Sequence, residues 1–288
     1  MAGENDLVQQ NQQLQKQLRQ LNARIHALES STWWRLHPRF ALRRLRGTPQ
    51  EAATNGQAAP ATHDLPIDFD EIDADLCRRV GPYTMTTPPR IYALRRAVEY
   101  VVSRPVGGSI VECGVWRGGS VMAIALTLLR LGDTSRELYL FDTFEGMTEP
   151  TSQDVKHTGE TAADILATST RDSDNWAVAG LDEVREAVLG VGYPEERIHF
   201  VQGPVEETLP AQETGEIALL RLDTDWYSST SHTLTHLYPR LVTGGVLIVD
   251  DYAYWQGARE AVDEYIARHE LPLLLNRIDY TARLALKP

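Results

Sequence analysis

Four aspartates stand at the mouths of two apolar runs. Ile217-Ala-Leu-Leu-Arg-Leu leads into Asp223-Thr-Asp225-Trp-Tyr227, and Gly244-Gly-Val-Leu-Ile-Val leads into Asp250-Asp251-Tyr-Ala-Tyr-Trp255. Any one of these acids is accounted for by capping of the helix that follows it. Four at one place are harder to explain so, because converging carboxylates repel and need a cation, a shared proton or open access to water. A hard divalent cation such as Mg²⁺ meets that need, since it takes oxygen ligands and keeps room for substrate oxygens.

The elements around these acids must bring them together. Each run is short, continuously apolar and rich in branched residues, as suits a strand buried on both faces. Residues 228–241 between them read as a helix, so the whole is a strand-helix-strand unit. If adjacent, two such strands end about 5 Å apart on one sheet edge. Upstream, helices are expected over 68–80 and 88–104, the latter with Ile91, Leu94, Val98 and Val101 on one face. Strands then alternate with helices: Ser109 to Cys113, helix 119–131, Glu137 to Phe141 and Ile198 to Val201, followed by the two acidic strands. Alternation of this kind predicts an α/β, doubly wound, mostly parallel sheet. Leu271 to Arg277 and Thr281 to Leu286 are too close for a crossover and are expected to close a seven-stranded sheet as an antiparallel hairpin. The long polar stretch 149–191 interrupts the rhythm and is expected to be a lid, with a helix near 181–189.

At the other candidate site, Val111-Glu112-Cys113-Gly114-Val115-Trp116-Arg117-Gly118-Gly119-Ser120 runs from a strand through a glycine-rich turn into a helix. Glycines let the backbone approach a ligand, and the helix start offers free N–H groups. Neither the dinucleotide GxGxxG nor a phosphate loop ending in Gly-Lys-Ser/Thr is present. Glu112 is awkward beside a pyrophosphate but suits a cationic amino group. Asp142, ending Leu138-Tyr-Leu-Phe-Asp142, is placed to accept from a ribose diol. A nucleoside with a positively charged tail fits both, which describes S-adenosylmethionine. Gly118, Ser120 and Gln202 are further candidates for this end. Trp226, Tyr227, Tyr252, Tyr254 and Trp255 are candidates to stack on a sugar or the adenine.

VECGVWRGGS, LYLFDTFEGM, LRLDTDWYSST and VDDYAYWQGAREAVDEY, in that order, resemble the macrocin O-methyltransferase family (TylF type) over roughly Asp68 to Pro288. The resemblance implies a class I methyltransferase fold, S-adenosylmethionine as donor, a required Mg²⁺ and a sugar hydroxyl as acceptor. It implies Asp223, Asp250 and Asp251 as metal ligands and Asp225 as general base. Glu112, Gly114, Asp142 and the loop Thr84-Met85-Thr86 are implied as cofactor contacts. Two other readings of the acids and the N-terminus stay open. One is a metal-dependent methyltransferase of catechols, and the other a non-catalytic coiled-coil scaffold that binds a nucleoside.

Composition narrows the field further. The chain has 288 residues, 42% of them hydrophobic, enough for one sizeable core with an appendage. No apolar run approaches the ~20 residues of a membrane span, and a cytoplasmic protein is expected. Cys77 and Cys113 show no zinc or disulfide spacing. Residues 1–48 hold eight basic and three acidic side chains, so the rest is more acidic than the whole-chain charge of −12. An acidic body argues against a nucleic-acid partner. In the N-terminal segment 1–30, Leu7, Leu14, Leu21 and Leu28 recur every seven residues, with Asn11, Leu18 and Ile25 at the companion positions. That pattern predicts a parallel coiled coil, hence a homodimer or higher oligomer. A tethered pair of bodies is expected to act on a sugar of a surface glycan or its precursor, with a glycosylated natural product as the alternative acceptor. The basic, Trp-rich segment 31–47 is expected to touch a membrane surface or an acidic partner such as a glycosyltransferase complex. A linker over 48–64 leads to the catalytic domain, 65–288.

Overall fold

The structure, a computed structural model, describes residues 65–209 and 211–288. The expected coiled coil, basic segment and linker lie outside them. Among the described residues no helix is long and apolar enough to cross a membrane.

Two helices precede the sheet, α1 (Glu71–Val80) and α2 (Pro88–Ser103), followed by β1 (Ser109–Cys113), α3 (Gly119–Leu131) and β2 (Leu138–Asp142). Then come α4 (Ala162–Thr168), α5 (Leu181–Leu189), β3 (Ile198–Gln202), the single turn α6 (Val205–Thr208) and β4 (Ile217–Leu222). The chain ends with α7 (Tyr227–Leu237), β5 (Leu241–Val249), α8 (Gln256–Arg268), β6 (Asn276–Arg277) and β7 (Arg283–Leu286).

The strands form one sheet in the order β3-β2-β1-β4-β5-β7-β6. β1 to β5 run parallel, and β7 pairs antiparallel with β5 and β6. The winding reverses between β1 and β4, which makes their carboxyl ends the switch point where ligands bind in such sheets. Side chains alternate faces along each strand. Ile110, Leu138, Leu219 and Ile248 join α2, α3 and α5 in one core, while Val111, Phe141, Leu220 and Val249 join α7 and α8 in the other. Each fully buried Leu or Ile in these layers contributes roughly 1.5–3 kcal/mol.

The boundaries of α3 and α5 are those read from the sequence. The helix expected over 228–241 stops at Leu237, because Pro239 cannot continue the ladder and Leu241 already pairs with Ile217. The expected hairpin strands are shorter than the apolar pattern suggested, since only Asn276 and Arg277 pair on the open edge. The stretch 149–191 is of two kinds. Val184 and Val188 of α5 are fully buried in the main core, so its last part is scaffold. Its first part, with α4, rims the mouth of the sheet.

Candidate active site

A cavity of about 620 Å³ opens over the carboxyl ends of β1, β4 and β5, within the range for small-molecule sites. One end is the glycine-rich turn after β1. Gly114 has φ +85°, and a Cβ there would sit 1.9 Å from the Asp223 carbonyl oxygen. Only glycine lets the two switch-point strands leave the sheet so close together. Trp116 is also left-handed, at φ 48°, a conformation that costs a residue with a Cβ about 1–2 kcal/mol. Asp142 offsets that strain. Its Oδ2 accepts from the N–H groups of Val115 at 2.6 Å and Trp116 at 3.0 Å, and its Oδ1 accepts from Phe144 N–H at 2.7 Å. Burial raises the Asp142 carboxyl, and these N–H groups offset that rise only in part.

Asp142 thus reaches the cavity, and its oxygens also brace the turn. Of the other candidates for the cofactor end, Thr84, Met85, Thr86, Gly114 and Ser120 line the cavity. Three do not. Glu112 is 2% exposed and bonded to Arg221, because alternation turns its side chain onto the α2 face of β1, in register with Arg221. Gly118 caps α3 at φ +88°, where a Cβ would lie 2.6 Å from Val188 Cγ2. Gln202 is exposed at the end of β3, and Gly203, Pro204, Val205 and Glu206 take the place expected for it.

At the centre of the cavity, Asp223, Asp250 and Asp251 each offer an oxygen within 4.8 Å of the others. The ladder places them: Asp223 N–H donates to Cys113 O at 2.8 Å and Asp250 N–H to Leu222 O at 2.9 Å. Two arginines not foreseen from the sequence enter here. Arg221, 1% exposed, donates to Glu112, to Asp223 Oδ2 at 2.8 Å, to Asp250 Oδ1 at 2.6 Å and to Thr86 Oγ1 at 3.1 Å. Arg90 bonds the other Asp250 oxygen, Thr281 Oγ1, and Asp279 Oδ2 at 2.7 Å. Burial pushes Asp250 upward, with both guanidiniums opposing it. The signal for Arg221 was present, since a charge within the apolar run Ile217–Leu222 has to find a buried partner. Arg90, at the start of α2, carries no such mark.

Among the described residues no guanidinium touches Asp225 or Asp251. Burial first, and then Asp223, push the Asp225 carboxyl up to about 7. Burial, and then Asp225, push Asp251 well above the usual carboxylate range. Oδ2 of Asp251 is buried with no hydrogen-bond partner. An unpaired buried oxygen beside two further carboxylates suits an oxygen-liganding divalent cation. Asp225 sits at φ 61°, and its Oδ1 accepts from Trp255 Nε1–H at 2.8 Å. Strain of this kind clusters where a side chain must be aimed.

The rim is tied to these acids. Asp154, fully buried, accepts from Tyr227 N–H at 2.7 Å and so caps α7 directly after Asp225. Trp226 donates to Thr148 O at 3.1 Å and packs edge-on to Trp255 at 5.0 Å. His157 N–H donates to Tyr254 O at 2.9 Å. Nothing in the sequence pattern singled out Asp154. Of the five aromatic candidates, Trp226, Tyr254 and Trp255 line the cavity. Tyr227 and Tyr252 turn away, to Glu264 and Asp263.

Residues 45–285 match the model of the macrocin-O-methyltransferase (TylF) family. The chain belongs to this family. An O-methyltransferase from Streptomyces olivaceus, named for the 4′-hydroxyl of a dimethoxyrhamnosyl tetracenomycin, is 36% identical over 69% of this chain and 73% of its own. The demethyldecarbamoylnovobiocin O-methyltransferase of Streptomyces niveus is 35% identical over 68% of this chain and 72% of its own. The solved structure of the O-methyltransferase NovP superposes with a TM-score of 0.63 at 32% identity, covering 71% of this chain and 82% of that one. As a member, this chain is an S-adenosylmethionine-dependent O-methyltransferase with the seven-stranded methyltransferase sheet.

Proposed function

We propose that this enzyme methylates a hydroxyl on the sugar of a glycosylated small molecule, with Asp225 as general base. The observation that carries the reading is the meeting of Asp223, Asp250 and Asp251 within 4.8 Å of one another, beside an aspartate held by Trp255. The name of the Streptomyces olivaceus relative, which places its methyl on a rhamnosyl-bearing product, supports the sugar.

A sugar hydroxyl is a poor nucleophile because it ionises far above neutral pH. Asp223, Asp250 and Asp251 are the residues that would hold Mg²⁺, which supplies positive charge where the alkoxide charge develops. Trp255 fixes one oxygen of Asp225 and leaves the other to take the hydroxyl proton. Gly114, Ser120 and the Thr84–Thr86 loop line the end at which the methyl donor would bind, and rigid strand ends fix the line of transfer. Arg221 holds Thr86 and Asp223 together, so donor loop and acids move as a unit.

The test is transfer of labelled methyl from S-adenosylmethionine to a panel of methyl glycosides, glycosylated natural products and catechols, with EDTA and then with excess Mg²⁺. Sugar acceptors should be labelled only when Mg²⁺ is restored. Full activity in chelator would remove the metal from the mechanism, and labelling of catechols alone would remove the sugar.

A further inference from the structure

The strand order separates the cavity laterally. The donor turn lies at β1 and β2, the acids at β4 and β5, and β7 is the next strand beyond β5. Neighbouring strands are about 4.8 Å apart. An acceptor whose hydroxyl meets Asp225, on the side away from the donor, therefore extends toward the β6–β7 hairpin. There the cavity wall consists of Lys156, Glu160, Tyr254 and Tyr280.

Tyr280 is 63% exposed although it lines the cavity. Its backbone is nevertheless firmly held. The neighbouring Asp279 accepts from Thr281 and Ala282 N–H, each at 2.9 Å, from Thr87 Oγ1–H at 2.9 Å and from Arg90 Nε at 2.7 Å. Arg277 donates to Tyr280 O at 3.1 Å. The same Arg90 grips Asp250, so the hairpin tip is fixed to the acid cluster. A large ring presented to solvent on a rigid mount has no packing role to explain it. Tyr254 is mounted likewise, its N–H donating to Asp251 O at 3.0 Å. Lys156, its ammonium 5.3 Å from the Tyr254 ring centroid, is bridged through its backbone to Trp255.

Building on the sugar-methylating reading above, we propose that Tyr280 and Tyr254 form the acceptor subsite. The C–H face of the sugar ring lies on Tyr280, and its outer hydroxyls meet Lys156 and Glu160. A pyranose has one apolar face and a hydroxyl edge, and aromatic rings beside a few polar groups match both. Tyr280 is a specificity residue in this arrangement and touches no reacting atom.

The test uses the full chain with Mg²⁺ and methyl α-L-rhamnopyranoside as acceptor, together with calorimetric titration of S-adenosylhomocysteine. Tyr280→Ala should raise the acceptor KM roughly tenfold, the equivalent of about 1.4 kcal/mol, with kcat and S-adenosylhomocysteine affinity within twofold of wild type. Tyr280→Phe, which keeps the ring, should stay close to wild type. A Tyr280→Ala enzyme with unchanged KM would overturn the subsite while leaving the sugar reading intact. Equal losses in KM and in S-adenosylhomocysteine affinity would overturn it as well, by making the hairpin a general support. A wild type that binds S-adenosylhomocysteine yet does not methylate the rhamnoside, or any other methyl glycoside, would remove the sugar reading and the subsite with it.

Discussion

The carboxylates of the cavity fall into two sets that the fold treats in opposite ways. Glu112, Asp250 and Asp279 each touch a guanidinium of Arg90 or Arg221, and Asp250 has one on each oxygen. Among the described residues no guanidinium touches Asp225 or Asp251. Burial drives both upward, as it does Glu112 and Asp250 against their arginines, with Asp223 adding to the push on Asp225 and Asp225 to that on Asp251. Asp223 stands between the sets, reached by Arg221 and within the ligand cluster. Arginine therefore acts here as an internal counter-ion that anchors one set to β1, α2 and the C-terminal hairpin. Under the proposed function, the cation would sit where Asp251 of the uncompensated set meets Asp223 and Asp250, and the proton would go to Asp225. A cluster neutralised throughout would have little affinity left for either.

The sharpest way to break this contrast is to remove the base from the uncompensated set. Asp225→Asn should lower kcat by about 10²–10⁴, the usual worth of a positioned acid or base, while S-adenosylhomocysteine affinity and thermal stability stay near wild type. Wild-type turnover would move the proton-accepting role to another group, with Asp251 the next candidate. Within the compensated set the expected loss is one of stability. Arg221→Leu leaves Glu112 and Asp250 buried without one of their partners, and breaking a buried pair from one side costs about 3–5 kcal/mol. Urea unfolding measures it, and a loss under about 1 kcal/mol would mean that the carboxylates are not held by this arginine.

The smallest effect concerns the outer end of the clamp and its dependence on pH. Burial would raise Asp279, but the N–H groups of Ala282 and Thr281, with Arg90, outweigh it and hold the carboxyl at about 2. A carboxyl lowered by folding stabilises the native state above its unfolded value near 4, and that contribution is lost as pH falls from there toward 2. Asp279→Asn should therefore be less stable than wild type by about 1–3 kcal/mol at pH 7. The gap should narrow in unfolding experiments taken below pH 4. A gap independent of pH would mean that shape, not charge, is what Asp279 supplies.

Much of this architecture was legible before any coordinates. The apolar runs before Asp223 and Asp250 suited buried strands, the alternation with helices called for a parallel sheet, and the ends of α3 and α5 fell where their patterns stop. The meeting of Asp223, Asp250 and Asp251 followed, because adjacent parallel strands deliver their next residues to one edge. The assignments that shifted were those that depended on where a side chain points. Glu112 lies two residues before the glycine turn, yet it faces α2 and pairs with a residue 109 positions away. Asp142 also braces the N–H groups of a turn 26 and 27 residues earlier, and Asp154 caps a helix 73 residues later. Periodicity, strand composition and turn chemistry are local properties, so the chain by itself determined the elements, their order and the edge at which the acids gather. Which cation neutralises which carboxylate is decided by strand register and by the hairpin beyond β5. Those pairings form only when distant segments pack, and so the tertiary structure alone set which acids are paired with an arginine and which are not.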